Sequence, residues 1–238
     1  MSLALKARRA RPHGLPPPLD DKPKDHVCRL RPTAYFRWKV VLGPVVGTVL
    51  LVLSLPIMAL LIVLVRLTSE GPGVYRQARL GKDRRTFTMY KIRTMTEDAE
   101  SECGAVWAKP NDPRVTRIGK ILRRLHLDEL PQLINVVRGD MSLIGPRPER
   151  PEIACVLAEK IPAYFDRCAV RPGITGAAQV ILGADEDLDD VRRKVRLDTA
   201  YIERASLWLD IRILWATWQR VCGLRSKHSI RISGLPQP

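Results

Sequence analysis

Aromatic residues make up only 5% of the 238-residue chain, and they are not interleaved with its basic residues as stacking on single-stranded nucleic acid would require. Cysteine is sparse as well. Cys28, Cys103, Cys155, Cys168 and Cys222 lie far apart, with no C-x-x-C pair and no histidines at metal-ligand spacing. That pattern argues against a disulfide framework or a zinc site and fits a reducing compartment. The chain has no P-loop and no G-x-G-x-x-G after a strand, so ATP-driven and nicotinamide chemistry find no support. Acidic residues are in deficit, 25 Asp plus Glu against 40 Lys plus Arg, for a formal charge of +15. A chain this basic suits an anionic partner: nucleic acid, an anionic lipid surface or a phosphorylated substrate.

Hydrophobic residues supply 45% of the chain, enough for a core, and the apolar material is unevenly placed. Val40 to Val65 is a run of 26 residues without a charge, and about 20 suffice to cross a bilayer. A cleaved signal peptide fits poorly, because its apolar region is ~7–15 residues and no A-x-A-like site closes this run. Both flanks are basic. Residues 1–39 carry ten Lys or Arg against three acids, and the other side opens with Arg66, Arg76, Arg79 and Lys82. Because both flanks ask for the cytoplasm, we expect a re-entrant membrane helix over 39–67, broken near Pro56, with Ser54 bonding a freed carbonyl. A single kinked transmembrane helix is the alternative that the length also permits.

The rest reads as mixed α+β, mostly helical. Residues 1–38 form a basic, Pro-rich tail expected to be disordered, 68–225 a catalytic domain, and 226–238 a C-terminal tail. Residues 73–80 and 86–92 alternate and are joined by Gly81-Lys82-Asp83, which predicts a small β-hairpin. Helices are predicted over 115–127, from Asp128 onward with Pro131 in the first turn, over 151–168 and over 185–206. Leu207 to Cys222 sets Trp208, Ile211, Trp215 and Trp218 along one side. That stripe is either core or the lipid-facing side of an interfacial amphipathic helix.

Asp128-Glu129 at a helix start has an ordinary reading as dipole-favoured caps. Its neighbourhood suggests more. Arg123 and Arg124 precede the pair, and Arg147 and Arg150 lie in the Pro-fixed loop that follows. Guanidinium groups suit bidentate phosphate contacts, two carboxylates can hold Mg²⁺ against phosphate oxygens, and one carboxylate could attack phosphorus to give an acyl phosphate. His126 is a conceivable general base, but two residues from Asp128 it reads better as a surface histidine.

Four blocks, YRQARLGKDRRTFTMYKIRTM (Tyr75 to Met95), DPRVTRIGKILRRLHLDELPQLINVVRGDMSLIGPRPERPE (Asp112 to Glu152), RPGITGAAQV (Arg171 to Val180) and Gly71-Pro72, resemble the bacterial sugar transferases that act on polyprenyl phosphate, the monotopic phosphoglycosyl transferases. The resemblance implies transfer of a sugar-1-phosphate from a UDP-sugar to undecaprenyl phosphate, with release of UMP and a need for Mg²⁺. It implies the cytoplasmic face of the bacterial inner membrane, among its lipids, and the first membrane step of glycoconjugate or exopolysaccharide assembly. Carried over, Asp128 is the nucleophile that forms a covalent phosphosugar enzyme, and Glu129 is its metal-associated partner, the two being the Mg²⁺ ligands. Arg123 and Arg147 match phosphate-handling positions, and Arg79, Lys91, Arg93 and Arg171 in the matching blocks are further substrate-binding candidates. The family's Arg-Pro loop can hold a cis X-Pro bond.

The chain departs from the family pattern where Leu55 separates Ser54 from Pro56, where Ala177 replaces a frequent Trp, and at His126. Nucleic acid is not an expected partner, and a homo-oligomer is left open. The rival from another class is a membrane-tethered basic module that binds anionic lipid or nucleic acid without catalysis. It accounts for the charge and the anchor but not for the ordered acids and prolines of residues 112–152. A second enzymatic rival moves the sugar alone and releases UDP.

Overall fold

The computed structural model describes residues 30–97, 99, 112–182, 187–224, 232 and 235. Most of the expected N-terminal tail, as far as residue 29, lies outside the described residues, but its last part belongs to the fold. Leu30, Tyr35 and Phe36 pack on the main core, and the Thr33 hydroxyl donates to the Ala205 carbonyl at 3.0 Å. Helix α1 (Tyr35–Thr68) therefore begins before residue 39. Of the expected C-terminal tail, Ile232 and Leu235 are buried in the same core.

α1 stays helical through Pro44 and Pro56. The expected interruption at Pro56 is absent: each proline deletes one amide donor, and a long helix packed along one side tolerates that loss. Ser54 donates to the Leu51 carbonyl at 3.0 Å rather than to that of Val52, which Pro56 leaves without its amide. One stripe of α1 faces the protein. Leu51, Met58 and Val65 on it join a cluster with Ile92 and Leu122. A Cβ on Gly47 would stand 2.8 Å from Val136 Cγ1, so α3 (Gln132–Arg138) rests on bare backbone. The remaining faces of α1, including Trp38, Leu53, Leu60 and Leu67, are apolar and exposed.

After α1 comes the predicted hairpin, β1 (Val74–Leu80) antiparallel to β2 (Thr86–Ile92), with Tyr75 opposite Lys91 and Arg79 opposite Phe87. Opposite residues share a face, so Arg79 and Lys91 project from the same side. α2 (Arg117–Arg124) starts at Thr116, whose hydroxyl accepts from the Gly119 amide at 2.9 Å. A second sheet was not foreseen: β3 (Ser142–Ile144) pairs in parallel with β4 (Gly173–Thr175). The single helix expected over 151–168 is divided into α4 (Pro151–Lys160) and a 3-10 turn, Tyr164–Ala169. Pro162 explains the break, since it pushes Ile161 to extended backbone, here φ −133° and ψ 95°. α5 (Ala177–Ile181), α6 (Leu188–Arg204) and α7 (Leu207–Val221) complete the fold. α7 turns Leu209, Ile213 and Ala216 inward, while Trp208, Trp215 and Trp218 are exposed. The tryptophan stripe is therefore not core.

Candidate active site

Asp128 and Glu129 sit in a 3-10 turn, Leu127–Glu129, directly before α3. His126 opens that turn in the left-handed region at φ 55° and is exposed. The two carboxylates have opposite surroundings. Glu129 Oε1 accepts from Lys91 Nζ at 2.9 Å and from Arg147 Nη2 at 2.8 Å. Asp128 is 7% exposed, and its carboxylate accepts no hydrogen bond from the described residues. Burial pushes the Asp128 carboxyl above the usual carboxylate range; Lys91, Arg123 and Arg147 pull it back, and Glu129 adds to the rise. For Glu129 burial acts in the same direction but is outweighed by Arg147 and Lys91, which hold it well below that range. One carboxylate is thus locked as an anion between two cations, and its neighbour is left desolvated, near the same cations but with no hydrogen bond from the described residues.

Arg123 reaches the site from α2. Its Nε donates to Thr94 Oγ1 at 2.8 Å, and its terminal nitrogens make no hydrogen bond to the described residues. Lys91, Arg123 and Arg147 are therefore the predicted cations that the fold gathers around the dyad. Of the other three, Arg79 and Arg93 are engaged by protein groups and Arg171 is half-buried. Arg79 donates to the Pro148 carbonyl, Glu149 and Gln77. Arg93 Nη2 donates to the Ser69 carbonyl and hydroxyl at 2.8 Å each, tying the end of α1 to β2. Arg171 lies over Gly139, where a Cβ would stand 3.3 Å from Nη2, and makes no hydrogen bond to the described residues.

The role of Arg171-Pro172-Gly173-Ile174-Thr175-Gly176 is to back the Arg147 loop. Gly145 N donates to Thr175 O and Gly173 N to Pro146 O, both at 2.9 Å. A Cβ on Gly173 would stand 2.1 Å from Gly145 N, and one on Gly176 would stand 2.1 Å from Gly145 O. Only glycine permits that approach. No described peptide bond is cis, so Pro146 and Pro148 fix the loop in the trans form. Sequence reasoning also missed Lys39, read there as a flanking charge. Its Nζ donates to Ile144 O at 2.9 Å, Tyr201 Oη at 2.6 Å and Asp210 Oδ2 at 2.7 Å, joining α1 to α6, α7 and the end of β3. Charge counting sees only a basic residue at the edge of an apolar run.

The family model described as bacterial sugar transferase matches residues 34–223. The chain belongs to that family. Among this bacterial sugar transferase's relatives is the UDP-N-acetylgalactosamine-undecaprenyl-phosphate N-acetylgalactosaminephosphotransferase of Aeromonas hydrophila, 48% identical over 162 residues, or 68% of this chain and 38% of the relative. The undecaprenyl-phosphate glucose phosphotransferase of Komagataeibacter xylinus is 45% identical over 181 residues, 73% of this chain and 34% of the relative. The UDP-glucose:undecaprenyl-phosphate glucose-1-phosphate transferase of Caulobacter vibrioides is 39% identical over 208 residues, 84% of this chain and 78% of the relative. The chain thus spans about a third of the first two and most of the third.

For a divalent cation, the transferase offers the unpartnered Asp128 carboxylate and Glu129 Oε2, which no described group engages. No cluster of three or more His, Cys, Asp or Glu that could hold a metal occurs among the described residues. The pair fits Mg²⁺ in the manner of sites completed by water and substrate phosphate, because that ion commonly takes only one or two protein carboxylates.

Proposed function

We propose that this bacterial sugar transferase moves a sugar-1-phosphate from a UDP-sugar to undecaprenyl phosphate, releasing UMP, at the cytoplasmic face of the bacterial inner membrane. The observation that carries the reading is the contrast within the dyad: a buried Asp128 without a protein hydrogen bond beside a Glu129 paired to two cations. A carboxylate stripped of hydrogen bonds is a poorly solvated, reactive anion. It attacks the sugar-bearing phosphorus, an Asp128 Oδ–P bond forms, and the P–O bond to UMP breaks, its electron pair leaving with UMP. The acceptor lipid's phosphate oxygen then attacks the same phosphorus, and the Asp128 carboxylate leaves with the bonding electrons.

Arg147 and Lys91 neutralise the diphosphate oxygens as charge moves onto UMP, while Glu129 holds these cations in register. Arg123 presents its free terminal nitrogens to a phosphate oxygen pair. Asp128 and Glu129 would hold Mg²⁺, which would supply further charge neutralisation. The relatives' names speak of UDP-sugars and undecaprenyl phosphate, and this chain's own acceptor and donor classes are inferred from them together with the site.

The membrane seat is supported by α1 and α7. The protein lines α1 from Lys39 to Val65, about 39 Å at ~1.5 Å per residue. A perpendicular crossing would carry what packs along the middle of α1, including the turn that holds Asp128 and Glu129, whose Leu127 and Leu130 pack with Leu51 and Met58, into the ~30 Å hydrocarbon core, where buried charge is costly. Seating the exposed apolar faces of α1 in one leaflet, with Trp208, Trp215 and Trp218 at the headgroup level, avoids this. Both basic flanks then remain on one side.

The deciding assay offers UDP-glucose or UDP-N-acetylgalactosamine, labelled in the sugar, to the purified protein with undecaprenyl phosphate and Mg²⁺. UMP should be released, and without lipid the label should stay on the protein at Asp128. Release of UDP, or label recovered on no residue, would sink the covalent reading. In the same assay Arg123→Lys should cut kcat/KM roughly tenfold despite the retained charge, because an ammonium cannot form the two parallel hydrogen bonds. Full activity there would return Arg123 to the solvated surface.

A further inference from the structure

The loop that carries Arg147 is held through its carbonyl groups one after another. Pro146 O accepts from Gly173 N at 2.9 Å and Glu149 O from Leu80 N at 2.9 Å. Between them, Arg147 O accepts from Arg167 Nη2 at 2.9 Å and Pro148 O from Arg79 Nη1 at 3.0 Å. Just ahead, Ile144 O accepts from Lys39 Nζ at 2.9 Å. Three buried or half-buried cations from three elements therefore point at backbone oxygens of this loop, while the Arg147 side chain reaches Glu129 of the dyad.

Arg167 is the one that touches Arg147 itself. It is 4% exposed, lies in the turn after α4, and donates to Asp198 Oδ2 of α6 at 2.7 Å from the same Nη2 that donates to Arg147 O. Its Nη1 donates to Tyr164 Oη at 3.2 Å. A buried ion pair is weak evidence of stabilisation, since desolvating both charges offsets much of their attraction. Pro146 and Pro148 already fix φ on either side of Arg147. What the prolines leave open is how the whole stiff loop sits, and the Arg147 carbonyl is its central handle.

We infer that Arg167, oriented by Asp198, is a positioning residue that holds the Arg147 carbonyl and so sets where the Arg147 guanidinium meets the substrate diphosphate. The inference rests on the proposed diphosphate role of Arg147. It reassigns Arg79 as well, from substrate contact to support of the same loop through Pro148. A shift of about 1 Å at a charge-stabilising group can cost on the order of 10²-fold in rate, so a backbone handle one shell away has a measurable effect.

Arg167→Lys tests this, because the ammonium keeps a charge for Asp198 but lacks the flat set of donors that reaches Asp198, Tyr164 and Arg147 O together. The variant should melt near the wild type and show kcat with the UDP-sugar lowered roughly tenfold, with KM less affected. Combined with Arg147→Lys, it should add little further loss, since both changes disable one guanidinium. Arg167→Met with Asp198→Leu removes both buried charges, a replacement that folds commonly tolerate, and should give the same fall in kcat. A folded Arg167 variant with normal kcat, or losses that multiply in the double variant, overturns the inference. Full activity in Arg147→Lys strikes the diphosphate reading instead.

Discussion

Asp128→Asn will fold, melt at a higher temperature than the wild type, and turn over at least about 10⁴-fold more slowly, the scale seen when a nucleophile or its activating partner is removed. The two effects share one cause. Burial raises the Asp128 carboxyl above its ordinary value, so the folded protein binds a proton more tightly than the unfolded chain does. The stability this group contributes is full below the unfolded value and is lost as pH rises through the folded one. At neutral pH the ionised form is therefore a burden on the fold, and a neutral amide of the same shape relieves it. The proposed displacement needs that ionised form. The acid limb of kcat/KM should lie above the ordinary aspartate range, measurable by UMP release across pH. Calorimetry showing Asp128→Asn less stable than the wild type would contradict the desolvated-nucleophile account, whatever its activity.

Glu129→Gln should be damaging in the other direction, losing stability as well as turnover. Its carboxylate takes hydrogen bonds from Lys91 and Arg147 on one oxygen, and an amide would leave both cations without an anionic partner. Breaking such a pair costs about 3 kcal/mol, the low end for buried ion pairs, because 38% of the Arg147 side chain remains in solvent. The sign of its pH dependence also differs. Since the folded carboxyl is held low, its contribution is present above the unfolded value near ~4.3 and is lost as pH falls through the folded one. Activity should drop on the order of 10²-fold or more as the two cations lose register, and what remains should need more Mg²⁺ if Glu129 Oε2 also serves the metal. Unchanged Mg²⁺ dependence would confine Glu129 to organising Lys91 and Arg147.

Local signals made the dyad, Arg123, Arg147 and the β-hairpin legible, because each is written in a few consecutive residues. Alternation gave β1 and β2, and the proline-flanked Arg147 stood out as a rigid cation. What the sequence concealed depends on distant partners. β3 and β4 are three residues each and pair only because Gly145, Gly173 and Gly176 let two loops touch, a closeness no periodicity reports. Lys39 looked like any membrane-flanking charge until Asp210, far along the chain, came to meet it. Arg79 and Arg93 carried the right chemistry for phosphate, yet the Pro148 carbonyl and Ser69 engage them. Pro56 was read as a break because its local effect is certain, while the packing of Met58 and Val65 that carries the helix past it is not local.

That packing makes the apolar helix a wall of the protein body as well as its proposed membrane anchor. A version of the protein trimmed to begin after Thr68 would not be the soluble half of a two-part molecule. It would bare Val136 where Gly47 now lies, open the cluster around Ile92 and Leu122, and leave Asp210 without Lys39. Solubilisation has to treat the two sides of one helix differently, with detergent coating the outer faces of α1 while its inner stripe stays against protein.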